Sequence, residues 1–215
     1  MVKKNLLLQY PQFISLYLEG LLDPRLWMDK ADKLLEASKT LEPQLREFWN
    51  VVQTNTKEGR YNKGGKPPYI PPPDLHGPYF ILVSYALEDL FKALIIRNQS
   101  NEIRSQFFQN GRLPSLINKH DLIKLSKDAN IVFGIIEEDV LIRLSRQSKW
   151  KSRYPVPIEL SDIQNMQKYS NGKGYFTDYF KPDDIDHLDS IVKRVKNTLK
   201  LQNETAILEG RSPSF

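Results

Sequence analysis

Two short runs carry the residues best suited to chemistry. In Lys119-His120-Asp121-Leu122 an imidazole stands beside a carboxylate at the start of an amphipathic segment. Imidazole titrates near neutral pH, so His120 could act as a base or donate to a phosphate, and the adjoining helix start offers unpaired N–H groups. The structural alternative is that Asp121 caps the helix while His120 packs or bonds locally beside it. The second run, Lys149-Trp150-Lys151-Ser152-Arg153-Tyr154, interleaves cations with aromatic rings. That mixture grips phosphates by charge and stacks bases on rings. Here the alternative is that Trp150 and Tyr154 anchor a helix end, with the cations solvated at the negative end of its dipole. Lys168-Tyr169 and Lys173-Gly174-Tyr175 repeat the mixture near a further turn.

Other chemistries are excluded or unsupported. The 215 residues include no Cys, which removes disulfide scaffolds, thiolate zinc sites, iron–sulfur clusters and cysteine nucleophiles together. No phosphate-binding or dinucleotide glycine fingerprint occurs, nor a zinc-protease histidine pair or a nucleophile elbow, so neither a metal nor a cofactor is expected. The paired acids Glu137-Glu138-Asp139 and Asp183-Asp184 open expected helices, where the dipole favours negative charge without catalysis. With 31 Lys+Arg against 26 Asp+Glu the net charge is +5, too small by itself to identify a nucleic-acid binder. The N-terminal apolar stretch Leu6-Leu7-Leu8 is too short for a secretory signal, and Glu88, Asp89 and Lys92 interrupt the most apolar run. The expectation is a soluble, cytoplasmic protein with no membrane segment.

The elements that must position these residues read as helices. From residue 24 to about 57, apolar residues recur every three or four positions, from Trp27 and Ala31 to Trp49 and Val52, with Asp23-Pro24 as a helix start. Pro43 lies inside the pattern. Either it kinks one long helix, or Thr40 caps a second helix with Pro43 in its first turn; the unbroken phase of the apolar stripe favours the kinked continuation. Residues 11–22 predict a short helix over a bundle end. Residues 58–77 are a Gly/Pro-rich loop, a lid or partner-binding strip if it is more than a connector. Residues 79–98 are apolar around most of the circumference and belong at a bundle centre. Residues 99–119 read as a connection with one helical turn near Phe107. Short amphipathic helices follow at 121–130 and 137–151, another at 161–169, and a closing helix at 182–208. No strand-type alternation is sustained, and the expected class is all-α.

Three pieces carry a further signal. Ser84-Tyr85-Ala86-Leu87-Glu88-Asp89-Leu90-Phe91-Lys92-Ala93-Leu94 combines a small residue, an acid and a Lys-Ala-Leu ending; Lys119 to Leu125 places His-Asp-Leu before a spaced Leu; Arg153-Tyr154-Pro155 closes the next helix. In this order and spacing they resemble the HEPN family of helical-bundle domains, over about residues 78–160 and extending to the closing helix. The resemblance implies an up-down bundle of four or five helices, often a homodimer, of the kind found in RNA-cleaving toxins, phage-defence systems and partners of nucleotidyltransferases. It divides the chain into an N-terminal helical extension (1–57), the Pro-rich loop (58–77), the HEPN-like bundle (78–208) and a tail (209–215).

The chain departs from the nuclease branch of that family, which is marked by an Arg, four to six intervening residues and a His. Its histidines are His76, His120 and His187, none with an Arg at that spacing; Arg112 precedes His120 with seven intervening residues. The sequence therefore points to a non-catalytic HEPN-like protein binding RNA or a nucleotide-related partner, through His120, Lys149, Trp150, Lys151, Arg153 and Tyr154. The alternative is a metal-independent ribonuclease in which Arg112 and His120 converge.

Overall fold

The computed structural model describes residues 11–148 and 180–208. Among them the chain is all-helical, with six helices and no strand: α1 (Pro11–Leu21), α2 (Pro24–Lys57), α3 (His76–Asn110), α4 (Leu122–Asp128), α5 (Ile135–Arg146) and α6 (Pro182–Leu208). The helix expected at 161–169 and the extended stretch around Pro155 and Pro157 lie outside the described residues.

The core is organised around α3. Phe80, Leu87, Leu90, Phe91, Leu94, Ile95 and Ile96 are wholly buried on it, and α2, α4, α5 and α6 all pack against it. A helix apolar on nearly every side can satisfy itself only in such a position. The most extensive pairing is with α2, which buries Ala31, Leu45 and Trp49 and half-buries Trp27, Leu34, Leu35, Leu41 and Phe48 on one stripe. At 34 residues α2 is a single helix running through Pro43, as the phase of the stripe predicts. It starts where Asp23 accepts from the Arg25 backbone N–H at 2.9 Å, with Pro24 in the first turn. Proline lacks the donor that this position would leave unpaired, and the aspartate satisfies one that remains.

Both ends of α3 differ from the sequence reading, and α5 starts at Ile135, ahead of the expected 137. α3 begins at His76, inside the expected loop, where Asp74 Oδ1 accepts from the His76 N–H at 2.9 Å. It also continues through residues expected to be a connection. The break foreseen near residue 98 exists as a kink, with Gln99 at φ −135° and ψ 27°, after which the helix resumes to Asn110. The cause is tertiary: Ile103 and Phe107 beyond the kink are buried, and the Phe107 ring lies 5.5 Å from that of Tyr17 on α1. Burying a large apolar side chain contributes about 1.5–3 kcal/mol, well above the few tenths by which polar residues lower helix propensity. The helix stops at Gly111, whose φ of 59° suits a residue without Cβ and whose N–H closes on Phe107 O at 2.8 Å.

The Pro-rich loop is held at its base by one buried side chain. Asn55, with no exposed surface, donates from Nδ2 to Tyr69 O at 2.8 Å and to Tyr61 Oη at 3.1 Å, and accepts from Tyr69 N–H at 2.8 Å. Arg60 adds bonds to Glu58 at 2.6 Å, Pro67 O at 2.8 Å and Tyr69 Oη at 2.6 Å. Gly65 passes so close to the turn that a Cβ there would stand 2.6 Å from Gly59 O. Of the loop cations, Arg60 is thus spent on the loop itself, while Lys63 and Lys66 are exposed.

α5 and α6 are joined by ion pairs. Glu137, which also accepts from the Gly134 N–H at 3.0 Å, meets Arg194 of α6 at 3.0 Å, and Arg143 meets Asp184. Glu137, Glu138, Asp183 and Asp184 all lie in first turns, as expected.

Candidate functional site

α4 is short, and three contacts hold its entry. Asp121 accepts from the Lys124 N–H at 3.1 Å, the expected cap. The Leu122 N–H donates to Ser145 Oγ of α5 at 2.9 Å, and Ser145 Oγ donates to Leu141 O at 2.9 Å. Lys119, ahead of the helix, bridges to Asp128 in its last turn at 2.6 Å. At the far end Asn130, at φ 58°, turns the chain out, and Gln99 at the α3 kink donates to Asp128 O at 3.2 Å. His120 therefore occupies a fixed place on the margin between α3 and α4.

Its ring is oriented by a carboxylate that sequence reading did not connect to it. His120 Nδ1 lies 3.0 Å from Glu88 Oε1 and 3.1 Å from Oε2, while the side chain as a whole is 64% exposed. When neutral, the ring donates its Nδ1–H to Glu88, which leaves the Nε2 lone pair as its acceptor. Glu88 is itself buried and takes a second donor, Lys92 Nζ, at 2.6 Å. Lys92, also buried, lies 5.6 Å from the centre of the Trp27 ring, within cation–π reach. Glu88 and Lys92, four residues apart on α3, thus form an ion pair in the interior of the bundle.

Asp89 completes the polar group. Lys30 of α2 lies 3.4 Å from its Oδ1 and 3.2 Å from its Oδ2, and Oδ2 has no aligned hydrogen bond. Lys30 thus balances the charge without saturating the carboxylate. Burial pushes the Asp89 carboxyl above its ordinary range and the neighbouring Glu88 adds to this, against the opposing pull of Lys30 and Lys92. Formally the positive charges of Lys30 and Lys92 balance Glu88 and Asp89.

No protein-family model, curated protein or solved structure matches the chain.

Of the residues singled out beforehand, the structure joins His120 to Glu88 and not to Arg112. Arg112 is exposed beyond the end of α3, and no hydrogen bond or ion pair joins it to His120 among the described residues. Lys149, Trp150, Lys151, Arg153 and Tyr154 lie outside the described residues. The stretch begins four residues after Ser145, the residue that receives the start of α4. Among the described residues no group of three or more His, Asp or Glu is placed to hold a metal ion, and no helix is long and apolar enough to cross a membrane.

Glu88 could have been found from sequence by one signal. A helix apolar around most of its circumference must bury its remaining polar strip, and a buried carboxylate requires donors. Lys92 supplies one, and the motif-bearing His120 is the other.

Proposed function

We propose that this chain is a HEPN-like helical protein that binds single-stranded RNA at the margin where α4 begins, without cleaving it, in a toxin–antitoxin or phage-defence setting. The observation that carries the reading is His120 held at the surface by Glu88, one ring nitrogen fixed and the other available to a ligand. Supporting it, Ser145 ties this margin to the end of α5, from which the chain runs on into Lys149, Trp150, Lys151, Arg153 and Tyr154. Cations interleaved with rings are the residue mix that suits phosphate and base contacts. Fluorescence polarisation with a labelled single-stranded RNA tests the reading. The expected result is binding that weakens at least about tenfold between roughly 50 and 200 mM salt, and that is reduced in His120→Ala and in Lys149→Ala with Arg153→Ala. Salt-insensitive binding, or binding unchanged by both variants, overturns it.

A second reading is favoured by the same dyad. A histidine whose Nδ1 is held by a carboxylate is arranged as a general base at Nε2, the arrangement a metal-independent ribonuclease needs. Glu88 would then take the orienting part, with Arg112 as the phosphate partner. Cleavage of the RNA in the presence of EDTA, abolished by His120→Ala and by Arg112→Ala, would replace the first reading with this one.

A further inference from the structure

The Pro-rich loop is longer than a connection needs, and it is held in place. It takes residues 58–75 to join α2 to α3, whereas about 2–8 residues join neighbouring helices in most bundles. Its second half, Lys66-Pro67-Pro68-Tyr69-Ile70-Pro71-Pro72-Pro73, lies in no helix, strand or turn. Each proline fixes its own φ at about −65°, and Lys66, Pro67, Ile70, Pro71 and Pro72, each standing before a proline, are pushed out of the α region. The run is therefore disposed to the polyproline II spiral, in which every third residue falls on the same edge. Exposure follows that register. Pro67, Ile70 and Pro73 all face solvent, Ile70 at 93%, while Pro71 and Pro72 between them are half-buried. Tyr69 pins the run to the bundle: Asn55 binds its N–H and C=O, and Arg60 binds its phenol and the Pro67 carbonyl while lying 3.8 Å from the centre of the Tyr69 ring. The carbonyls of Ile70, Pro71, Pro72 and Pro73, by contrast, accept no hydrogen bond among the described residues.

We infer that residues 66–73 are a pre-formed ligand for a different protein, one presenting a groove lined with aromatic rings and edged by carboxylates. Such grooves take proline runs because the spiral is already ordered and its carbonyls are unshared, so little conformational entropy is lost on docking. Both conditions hold here. The bonds from Asn55 and Arg60 order the run before any partner arrives, and the free carbonyls stand beside the exposed edge. Ile70 gives that edge an apolar side chain that nothing within the chain covers, and its removal from water favours docking. Charge selects the rim of the groove. Glu58 is paired with Arg60 and Asp74 with His76, whereas Lys63 and Lys66 are exposed and form no ion pair among the described residues. The open charge ahead of the prolines is therefore positive, which an acidic rim complements and a basic one repels. None of these residues takes part in the RNA reading, so either proposal can fail alone.

Calorimetric titration of the full chain with a panel of purified SH3, WW and EVH1 domains tests the inference. Members with acidic groove rims should bind with a micromolar Kd, more tightly than those with basic rims, and replacing the groove tryptophan of a binding member by alanine should abolish the signal. Ile70→Asp should raise the Kd at least about tenfold, the scale of a central contact, and Lys63→Glu with Lys66→Glu should raise it as well. All three positions are exposed, so the far-UV circular dichroism spectrum should stay unchanged. Asn55→Ala should also weaken binding, although its side chain is buried away from any partner, because the run is then no longer held in order. Should that variant fail to fold, the exposed substitutions still decide. Ile135→Asp, at an exposed apolar residue elsewhere, should leave the affinity unaltered. Absence of binding by every acidic-rimmed member overturns the inference, as does binding that neither Ile70→Asp nor the paired lysine change weakens; full affinity in a folded Asn55→Ala overturns its pre-formed character.

Discussion

Arg143 and Asp184 face each other through two parallel hydrogen bonds, Nη1 to Oδ2 at 2.7 Å and Nη2 to Oδ1 at 2.9 Å. Both side chains are nearly withdrawn from solvent, and the Arg143 guanidinium also lies 5.0 Å from the Phe180 ring centre. The pair fastens α6 to α5 across the bundle. Burial alone would raise the Asp184 carboxyl, but the Arg143 hydrogen bonds, the Lys181 N–H and nearby positive charge outweigh it and hold the group below its ordinary range.

From this pair follows a stability profile. A carboxylate with a depressed folded-state pKa stabilises the fold above its unfolded pKa of about 3.9, and that contribution disappears as pH falls through the lower folded value. Asp184→Asn should cost about 2–4 kcal/mol at pH 7, because the nearly buried Arg143 guanidinium loses its two-bond carboxylate partner. Denaturant titrations over a pH series should show the gap from the wild-type protein closing below about pH 3.9.

Asp89 predicts the reverse sign. Its carboxyl is raised, chiefly by burial, so the folded state holds the proton more tightly than the unfolded state does. The stability linked to this group is then greatest below the unfolded pKa and falls as pH rises through the folded one. Asp89→Asn should gain on the wild-type protein as pH rises above the ordinary carboxylate range, read as a rise in its Tm relative to the wild type. Differential scanning calorimetry at several pH values gives the answer, and a variant that loses ground toward neutral pH contradicts the assignment.

Glu88 and Lys92 predict strong coupling. Glu88→Ala strands a buried ammonium and should cost about 3–5 kcal/mol, whereas Glu88→Leu with Lys92→Met removes both charges and should recover most of that loss. A double-mutant cycle by urea denaturation measures the coupling. Additive single effects would mean that the 2.6 Å contact contributes little.

Asn55 predicts a local effect. Asn55→Ala removes both bonds to the Tyr69 backbone and should cost about 1–3 kcal/mol, at roughly 0.5–1.5 for each hydrogen bond, because water can reach the exposed Tyr69. Trypsin should then cut faster at the exposed Lys63 and Lys66 than in the wild-type protein. Equal cutting rates would show that Arg60 alone holds the loop.

What could be read beforehand was whatever a single helix's periodicity encodes. The start of α2 at Asp23-Pro24, its passage through Pro43, the central place of α3 and the bounds of α6 all follow from spacing and caps. Of the run from Ile103 to Asn110 only a turn near Phe107 was legible, because its full order comes from burying Ile103 and Phe107 against other parts of the bundle, which no local window contains. Within the site, Asp121 declared itself as a cap through its position. Glu88 did not declare itself as the partner of His120, because the two are separated by 32 residues and meet only once α4 folds back along α3.

Glu88 serves two masters, the imidazole at the surface and the ammonium in the interior. Whatever occupies His120 alters the electron density and proton sharing on a carboxylate that Lys92 also depends on, so ligand affinity and bundle cohesion are linked reciprocally. A ligand recognised through His120 should therefore announce itself as heat resistance, and thermal melting of the unlabelled protein becomes a way to screen for what it binds.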